Sequence, residues 1–415
     1  MYEKITLSNG IRILTEYVEQ VRSASVGIWV GNGSRHEPVH LNGISHFIEH
    51  MIFKGTDKRS AQHLAIAMDA LGGQFNAFTT KECTCYYMKV LDSHIQTGIS
   101  ILADMFLHSQ FADSDIELER GVVLEEIDMY EDNPEDTVTE KLFERCFSDG
   151  SLGLPVLGTE QTLAAFNNNV LHQYVSTHYR PTDTVIAISG HFNQADLDYI
   201  CTLFEPMRGS GHNQTNSAAY RPRIVLRPKD IEQNHICLGF PGLPCGSKDK
   251  YALQILCSII GGGMSSRLFQ TVREQNGLCY SIYSFRSSYQ DVGMLSIYTA
   301  SGKATEEKAI PLICQVLRDF CKEGPIGDEL SRCREQLKAN ILMGMENTST
   351  RMHQLGQGEL MLGRVVQSDE LIEQYDAVTS EQIMALAREL LDFNKISISV
   401  VGQLSTPLYY KTLLS

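Results

Sequence analysis

Two stretches of the chain carry the same order of features about 210 residues apart, and this repetition restricts the fold more than anything else in the sequence. Ser25-Val-Gly-Ile-Trp29 is followed by a glycine-rich turn and a helical segment, and His235-Ile-Cys-Leu-Gly239 by a turn and the helical pattern 249–260. Ile186-Ala-Ile-Ser-Gly190 is echoed by Ile398-Ser-Val-Val-Gly402 at a similar offset. Between the copies, 208–217 is poor in apolar residues and rich in turn formers, the composition of a linker. A chain of 415 residues is too long for one ordinary core. The expectation is an α+β protein of two homologous repeats, each a mainly antiparallel sheet packed with helices. Residues 1–207 form the first, 208–222 the linker and 223–415 the second.

Inside the first repeat, Ser8-Asn9-Gly10 centres a hairpin over 4–16, and 22–30 reads as a strand. Ser60 caps a helix that Gly72-Gly73 ends; strands follow at 74–80 and 82–90, and helices at 93–108, 115–130 and about 135–147.

The 11 cysteines are an odd number scattered mostly singly through apolar surroundings, which points to free thiols in a reducing compartment. Cys83-Thr-Cys85 reads as strand alternation rather than a ligand pair. A net charge of −15 disfavours nucleic acid and anionic membranes as partners, and carboxylates lining a cavity would favour cationic ligands. There is no basic segment followed by an apolar one at the start, and no apolar run of membrane-spanning length. These features predict a cytoplasmic protein.

Chemistry concentrates in Gly43-Ile-Ser-His-Phe-Ile-Glu-His-Met-Ile-Phe53. On a helix, Ile44, Phe47, Ile48, Met51 and Ile52 form one apolar stripe, while His46, Glu49 and His50 fall on the other side. Two histidines at i and i+4 stand one above the other, so their rings can converge on one ion with Glu49 alongside. The alternative is a solvated polar face. The segment 115–130 supplies carboxylates: Glu119, Val122, Val123, Glu126 and Tyr130 share a stripe, with Glu117, Gly121, Glu125 and Asp128 opposite. An ionised carboxylate is costly to bury without a neutralising partner. That partner is either a salt-bridging Lys or Arg or a metal held by the two histidines. In the metal reading Glu126, not Glu125, is the third ligand, and Glu119 supports the site from two turns earlier. The second repeat offers no equivalent of His46, Glu49 and His50.

The run His46-Phe-Ile-Glu-His-Met-Ile-Phe-Lys-Gly-Thr56, followed by Glu126, resembles the pitrilysin-type inverzincin metallopeptidases, particularly the mitochondrial processing peptidase β subunit and its short bacterial homologues. The resemblance covers nearly the whole chain. It implies one zinc per chain held by His46, His50 and Glu126, with Glu49 and Glu119 as catalytic acids and Glu49 as the base. It also implies a substrate-binding edge strand at Asn76-Ala77-Phe78, and a substrate-binding pair, Arg273 and Tyr280, in the second repeat. Gly261-Gly-Gly-Met-Ser-Ser-Arg-Leu-Phe269 matches the family's second-repeat pattern, and no Lys-Ser or Lys-Thr follows it to suggest a phosphate loop. The implied function is zinc-dependent endopeptidase action on peptides or unfolded leader segments. The implied assembly is a homodimer in which each chain forms half of a peptidase chamber. The competing reading is a noncatalytic assembly subunit of the same family, against which the intact ligand set stands.

Overall fold

The structure is a computed structural model describing residues 2–414. Its chain divides into two compact units, and neither is continuous in sequence. One comprises Met1–Ile127, Leu154–Asn216 and Leu342–Val366; the other comprises Asp128–Gly153, Ser217–Ile341 and Gln367–Ser415.

The first unit is built on a six-stranded sheet. Its strands are β1 (Glu3–Thr6), β2 (Arg12–Tyr17), β3 (Ser23–Val30), β4 (Gln74–Thr79), β5 (Thr84–Leu91) and β6 (Thr184–Gly190), in the order β1-β2-β6-β3-β5-β4. Only β2 and β6 run parallel. The second unit holds β7 (Ile224–Pro228), β8 (Gln233–Gly242), β9 (Ser281–Ser288), β10 (Gly293–Gly302) and β11 (Ser397–Gly402), in the order β7-β11-β8-β10-β9. Here β7 and β11 are the parallel pair. The repeat therefore extends to topology: in each sheet a late strand returns between the first and second repeated strands, and β1 is an addition to the first unit. The echoed strands β3 and β6, like β8 and β11, are central. Their near-continuous apolar runs are buried on both faces, as strands covered on two sides must be.

The first sheet's main core lies under α1 (Ile44–Met51), α2 (Ala61–Ala70) and α3 (Ile95–His108). Ile44, Phe47, Ile48 and Met51 are fully buried there, as the stripe predicts. Ser60 caps α2, its side chain accepting from the His63 N–H. The helices α4 (Asp113–Asp132) and α5 (Pro134–Cys146) follow.

The opposite faces of the sheets depart from the linear repeat boundary. Trp29 and Leu14 of the first sheet pack against Met352 and Leu355 of the helix Thr348–Leu362, which lies far along the chain. In the second unit, Val138 and Leu142 of α5 pack with Cys237, Met294 and Val401. Helical periodicity identified both apolar stripes but carries no information about which sheet a stripe covers. The stretch read as a linker is also anchored, at least through Asn216. His212 Nδ1 lies 2.6 Å from Asp183, the Asn213 N–H donates to Asp183 at 2.8 Å, and Arg35 donates to the Asn216 carbonyl at 2.7 Å. Its polarity reflects side chains used to pin a surface path.

All eleven cysteines are free, and among the described residues no helix is long and apolar enough to cross a membrane.

Candidate metal centre

The motif helix α1 begins at Gly43, whose φ of 92° places it in the left-handed region where glycine carries no steric penalty. A Cβ there would lie 2.6 Å from the Gly158 Cα, so close approach of two backbones also requires glycine. From this start α1 presents His46 and His50 one turn apart, with ring centroids separated by 4.6 Å. His46 is only 7% exposed, which excludes a solvated polar face.

The second element is α4. Glu126 Oε2 lies 3.6 Å from His46 Nε2 and 3.5 Å from His50 Nε2. Two zinc bonds of about 2.0–2.1 Å meeting at a tetrahedral angle separate their outer atoms by about 3.3–3.4 Å, so these three donors are spaced to share one ion. They are the group of metal-capable side chains that converges among the described residues. Glu125, one residue away, is exposed. Glu126 pairs with the two imidazoles, so the donor set of two nitrogens and one carboxylate fits zinc with a coordination position left for water or substrate.

The expected stripe on α4 needs correction. Ile116, Glu119 and Val123 are buried, but Val122 is 50% exposed and Tyr130 43%. The helix is rotated so that the i, i+3, i+7 series faces inward and the residue beside Val123 faces out. Glu119 meets the salt-bridge alternative through Lys54 and also bonds one of the two histidines. Its Oε1 lies 2.8 Å from His50 Nδ1, and its Oε2 lies 2.5 Å from Lys54 Nζ. Lys54 was not singled out from the sequence. Its place one turn beyond His50, at i+4, was the available signal.

Electrostatics follow from this packing. Burial, together with the neighbouring His50, lowers His46 to about 4 despite the charge of Glu126, leaving it neutral, the form that ligates metal. Burial also opposes charge on His50, but its contacts with Glu119 and Glu126 outweigh that and raise it to about 9. Glu126 is lowered chiefly by its hydrogen bond with His50. Burial raises Glu49 against a hydrogen bond with Thr79, and Glu49 Oε2 is a buried oxygen without a partner.

Asn76, Ala77 and Phe78 lie on β4, the outer strand of the first sheet. The hairpin joining β4 to β5 closes with Thr80 N–H donating to the Cys83 carbonyl. Hydrogen-bonded and non-hydrogen-bonded pairs alternate along an antiparallel ladder. Ala77 and Thr79, paired with Tyr86 and Thr84, therefore direct their backbone groups away from β5 toward the open edge. The Asn76 carboxamide covers one of these, its Oδ1 accepting from the Ala77 N–H at 2.8 Å. Thr79 reaches Glu49, whereas Phe78 faces the other side of the sheet and packs edge-on against Trp29 and His353. Phe78 thus supports the strand, while the open backbone of Ala77 and Thr79 is what adjoins α1.

In the second unit, Arg273 and Tyr280 are brought together. The guanidinium lies 4.9 Å from the Tyr280 ring centroid and 4.4 Å from that of Phe269. Tyr280 is 75% exposed, so its ring is available to a ligand.

The two-unit fold with an H-x-x-E-H helix and a carboxylate third donor defines a class, and comparison with known proteins agrees. The profile described as insulinase (Peptidase family M16) matches residues 12–160, and the one described as Peptidase M16 inactive domain matches 165–337. A Bacillus subtilis relative, described as uncharacterized zinc protease YmxG, is 42% identical over 407 residues, spanning 97% of this chain and all of its own. A Streptomyces coelicolor relative, also described as an uncharacterized zinc protease, is 37% identical over 413 residues and spans 97% of this chain and 89% of its own. The chain belongs to the M16 peptidase family.

The fold matches a peptidase M16 inactive domain from Pseudomonas fluorescens with a TM-score of 0.91 at 18% identity, covering 98% of each chain. A protease from Helicobacter pylori matches at 0.89 and 19%, covering 97% of this chain and 99% of that one. A chain of Complex III2 from Candida albicans matches at 0.84 and 20%, covering 99% of each. The fold is therefore shared by a protease and by a component of Complex III2, and activity has to be argued from the site.

Proposed function

We propose that this chain is a zinc endopeptidase hydrolysing peptides or unfolded leader segments, with one zinc per chain. The observation that carries the reading is the convergence of His46 Nε2, His50 Nε2 and Glu126 Oε2, with the unpartnered Glu49 Oε2 buried on the same helix. Zinc held by His46, His50 and Glu126 would supply Lewis acidity, polarising the peptide carbonyl and acidifying water. Glu49 is suited to take the proton of the attacking water and deliver it to the leaving amine, since burial raises its proton affinity. Glu119 fixes the His50 ring through Nδ1. The open edge of β4 offers Ala77 and Thr79 backbone groups to an extended peptide as an added strand, with Asn76 turning aside from the Ala77 N–H. Arg273 and Tyr280 act as the second binding element for substrate backbone, as the family resemblance implies.

The active unit is a homodimer in this reading. A chain with one complete metal set and, in its other unit, a substrate-binding pair without a metal is half of the four-repeat chamber found in the resembling single-chain peptidases. The free cysteines support a reducing, cytoplasmic setting. The noncatalytic-subunit reading is disfavoured because Thr79 accounts for only part of the Glu49 carboxylate, whose Oε2 is buried with no structural partner. Mass spectrometry of peptides incubated with the purified protein tests the proposal. Cleavage should stop with chelator and return with zinc, and Glu49→Gln should retain zinc without cleaving. Cleavage by Glu49→Gln at the wild-type rate would refute the assignment.

A further inference from the structure

The N-terminus of α1 poses a problem that its own residues do not solve. A helix leaves its first N–H groups without intrahelical acceptors, and a Ser, Thr, Asp or Asn at the N-cap normally supplies one. Position 43 has to be glycine, because its backbone is left-handed and approaches Gly158, so no capping side chain is available. The acceptor comes from six residues upstream. Glu37 is 4% exposed, and its carboxylate accepts from the Ser45 N–H at 2.8 Å, the Gly43 N–H at 2.7 Å and Asn42 Nδ2 at 2.9 Å. None of these donors is a basic side chain. Burial raises its proton affinity, and the hydrogen bonds from Ser45, Gly43 and Asn42, with the positive end of the α1 dipole, oppose that.

The location gives this cap a consequence beyond folding. Ser45 immediately precedes His46, and α1 is only eight residues long, so one bond at its first turn governs the direction of a helix that carries both imidazoles and Glu49. The Ser45 side chain is itself held, its Oγ 3.1 Å from Asn32 Nδ2 and 3.2 Å from the Tyr174 hydroxyl. We infer that Glu37 is a positioning residue for the metal centre: its carboxylate fixes the first turn of α1 and thereby the convergence of His46 and His50 on Glu126. The inference rests on the zinc reading above.

The test is zinc affinity by competition with a fluorescent chelator, together with the melting temperature of the metal-free protein, for wild type, Glu37→Gln, Glu37→Asp and Glu306→Gln. Glutamine keeps one oxygen but turns an amide toward a donor, and aspartate keeps the charge with a shorter reach. Glu306 is an equally buried carboxylate bonded to Asn234 in the second unit and controls for general destabilisation. Zinc affinity should fall about 10- to 100-fold in Glu37→Gln, the range for residues that orient ligands, and less in Glu37→Asp. Turnover should fall with KM held, because β4 is untouched. Glu306→Gln should lower the melting temperature while leaving zinc affinity as in wild type. Wild-type affinity in a folded Glu37→Gln protein, or an equal loss in Glu306→Gln, would overturn the inference. If Glu37→Gln does not fold, wild-type affinity in Glu37→Asp does the same. A wild-type chain that takes up no zinc would instead overturn the underlying metal reading.

Discussion

Replacing Glu119 with alanine tests how much of the metal centre depends on a residue that does not touch the metal in the proposed site. Glu119 is 5% exposed and joins His50 Nδ1, at 2.8 Å, to Lys54 Nζ, at 2.5 Å. Its removal does two things. The His50 ring loses the acceptor that orients it, an effect worth about 10- to 100-fold in metal affinity, or about 1.4–2.7 kcal/mol. Lys54 loses its counter-charge and is left as a cation beside a cationic site. Because Lys54 is 36% exposed, water takes over most of that charge, and the residual repulsion is limited to about 1 kcal/mol. The expected total for Glu119→Ala is therefore about 2–4 kcal/mol. The double variant Glu119→Ala/Lys54→Ala should bind zinc roughly fivefold more tightly than Glu119→Ala alone. Chelator competition measures both affinities. An affinity for Glu119→Ala within about threefold of wild type would refute the orienting role, given the magnitudes expected for such residues. A double variant no tighter than the single one would refute the electrostatic part.

Four further outcomes follow from the same structure. Glu126→Gln should lose most of the zinc, and exposed Glu125→Gln should keep it; the reverse by metal analysis would move the ligand by one residue. Glu49→Gln and Arg273→Ala proteins, each crippled alone, should recover activity when mixed under conditions of demonstrated subunit exchange, since a mixed dimer retains one intact zinc site facing one intact arginine. No recovery, or a fully active monomer at high dilution, would show that each chain works alone. The net charge of −15 predicts a cleavage map enriched in Arg or Lys that weakens with added salt, and rates indifferent to salt with no basic enrichment would remove that expectation. Gly356→Ala should destabilise the protein by about 1–3 kcal/mol in a denaturant titration, although alanine is the better helix former, because the added Cβ would meet the Trp29 ring at 2.1 Å. An unchanged midpoint would mean that the helix Thr348–Leu362 does not pack so tightly on β3.

What the sequence determined by itself was local or periodic. The stripe of α1, the i, i+4 histidines and the Ser60 cap of α2 depend only on spacing along a helix, and these are where spacing puts them. The echo between β3 and β8 and between β6 and β11 was readable because central strands of equivalent sheets face the same demand for apolar residues on both faces. The resemblance of His46-Phe-Ile-Glu-His50 to a known family identified the family. Tertiary structure decided the rest, because pairing between distant segments leaves no periodic trace. It decided that α5 completes the second unit and Thr348–Leu362 the first, since an amphipathic stripe specifies a buried face without specifying what buries it. It decided that Val122 faces out while Glu119 faces both His50 and Lys54, because the rotation of α4 is set by what packs on it. It also decided that a glycine forced into a left-handed start would be capped by Glu37 from outside the helix. That carboxylate has no local pattern to announce it, only three donors that the fold brings to it.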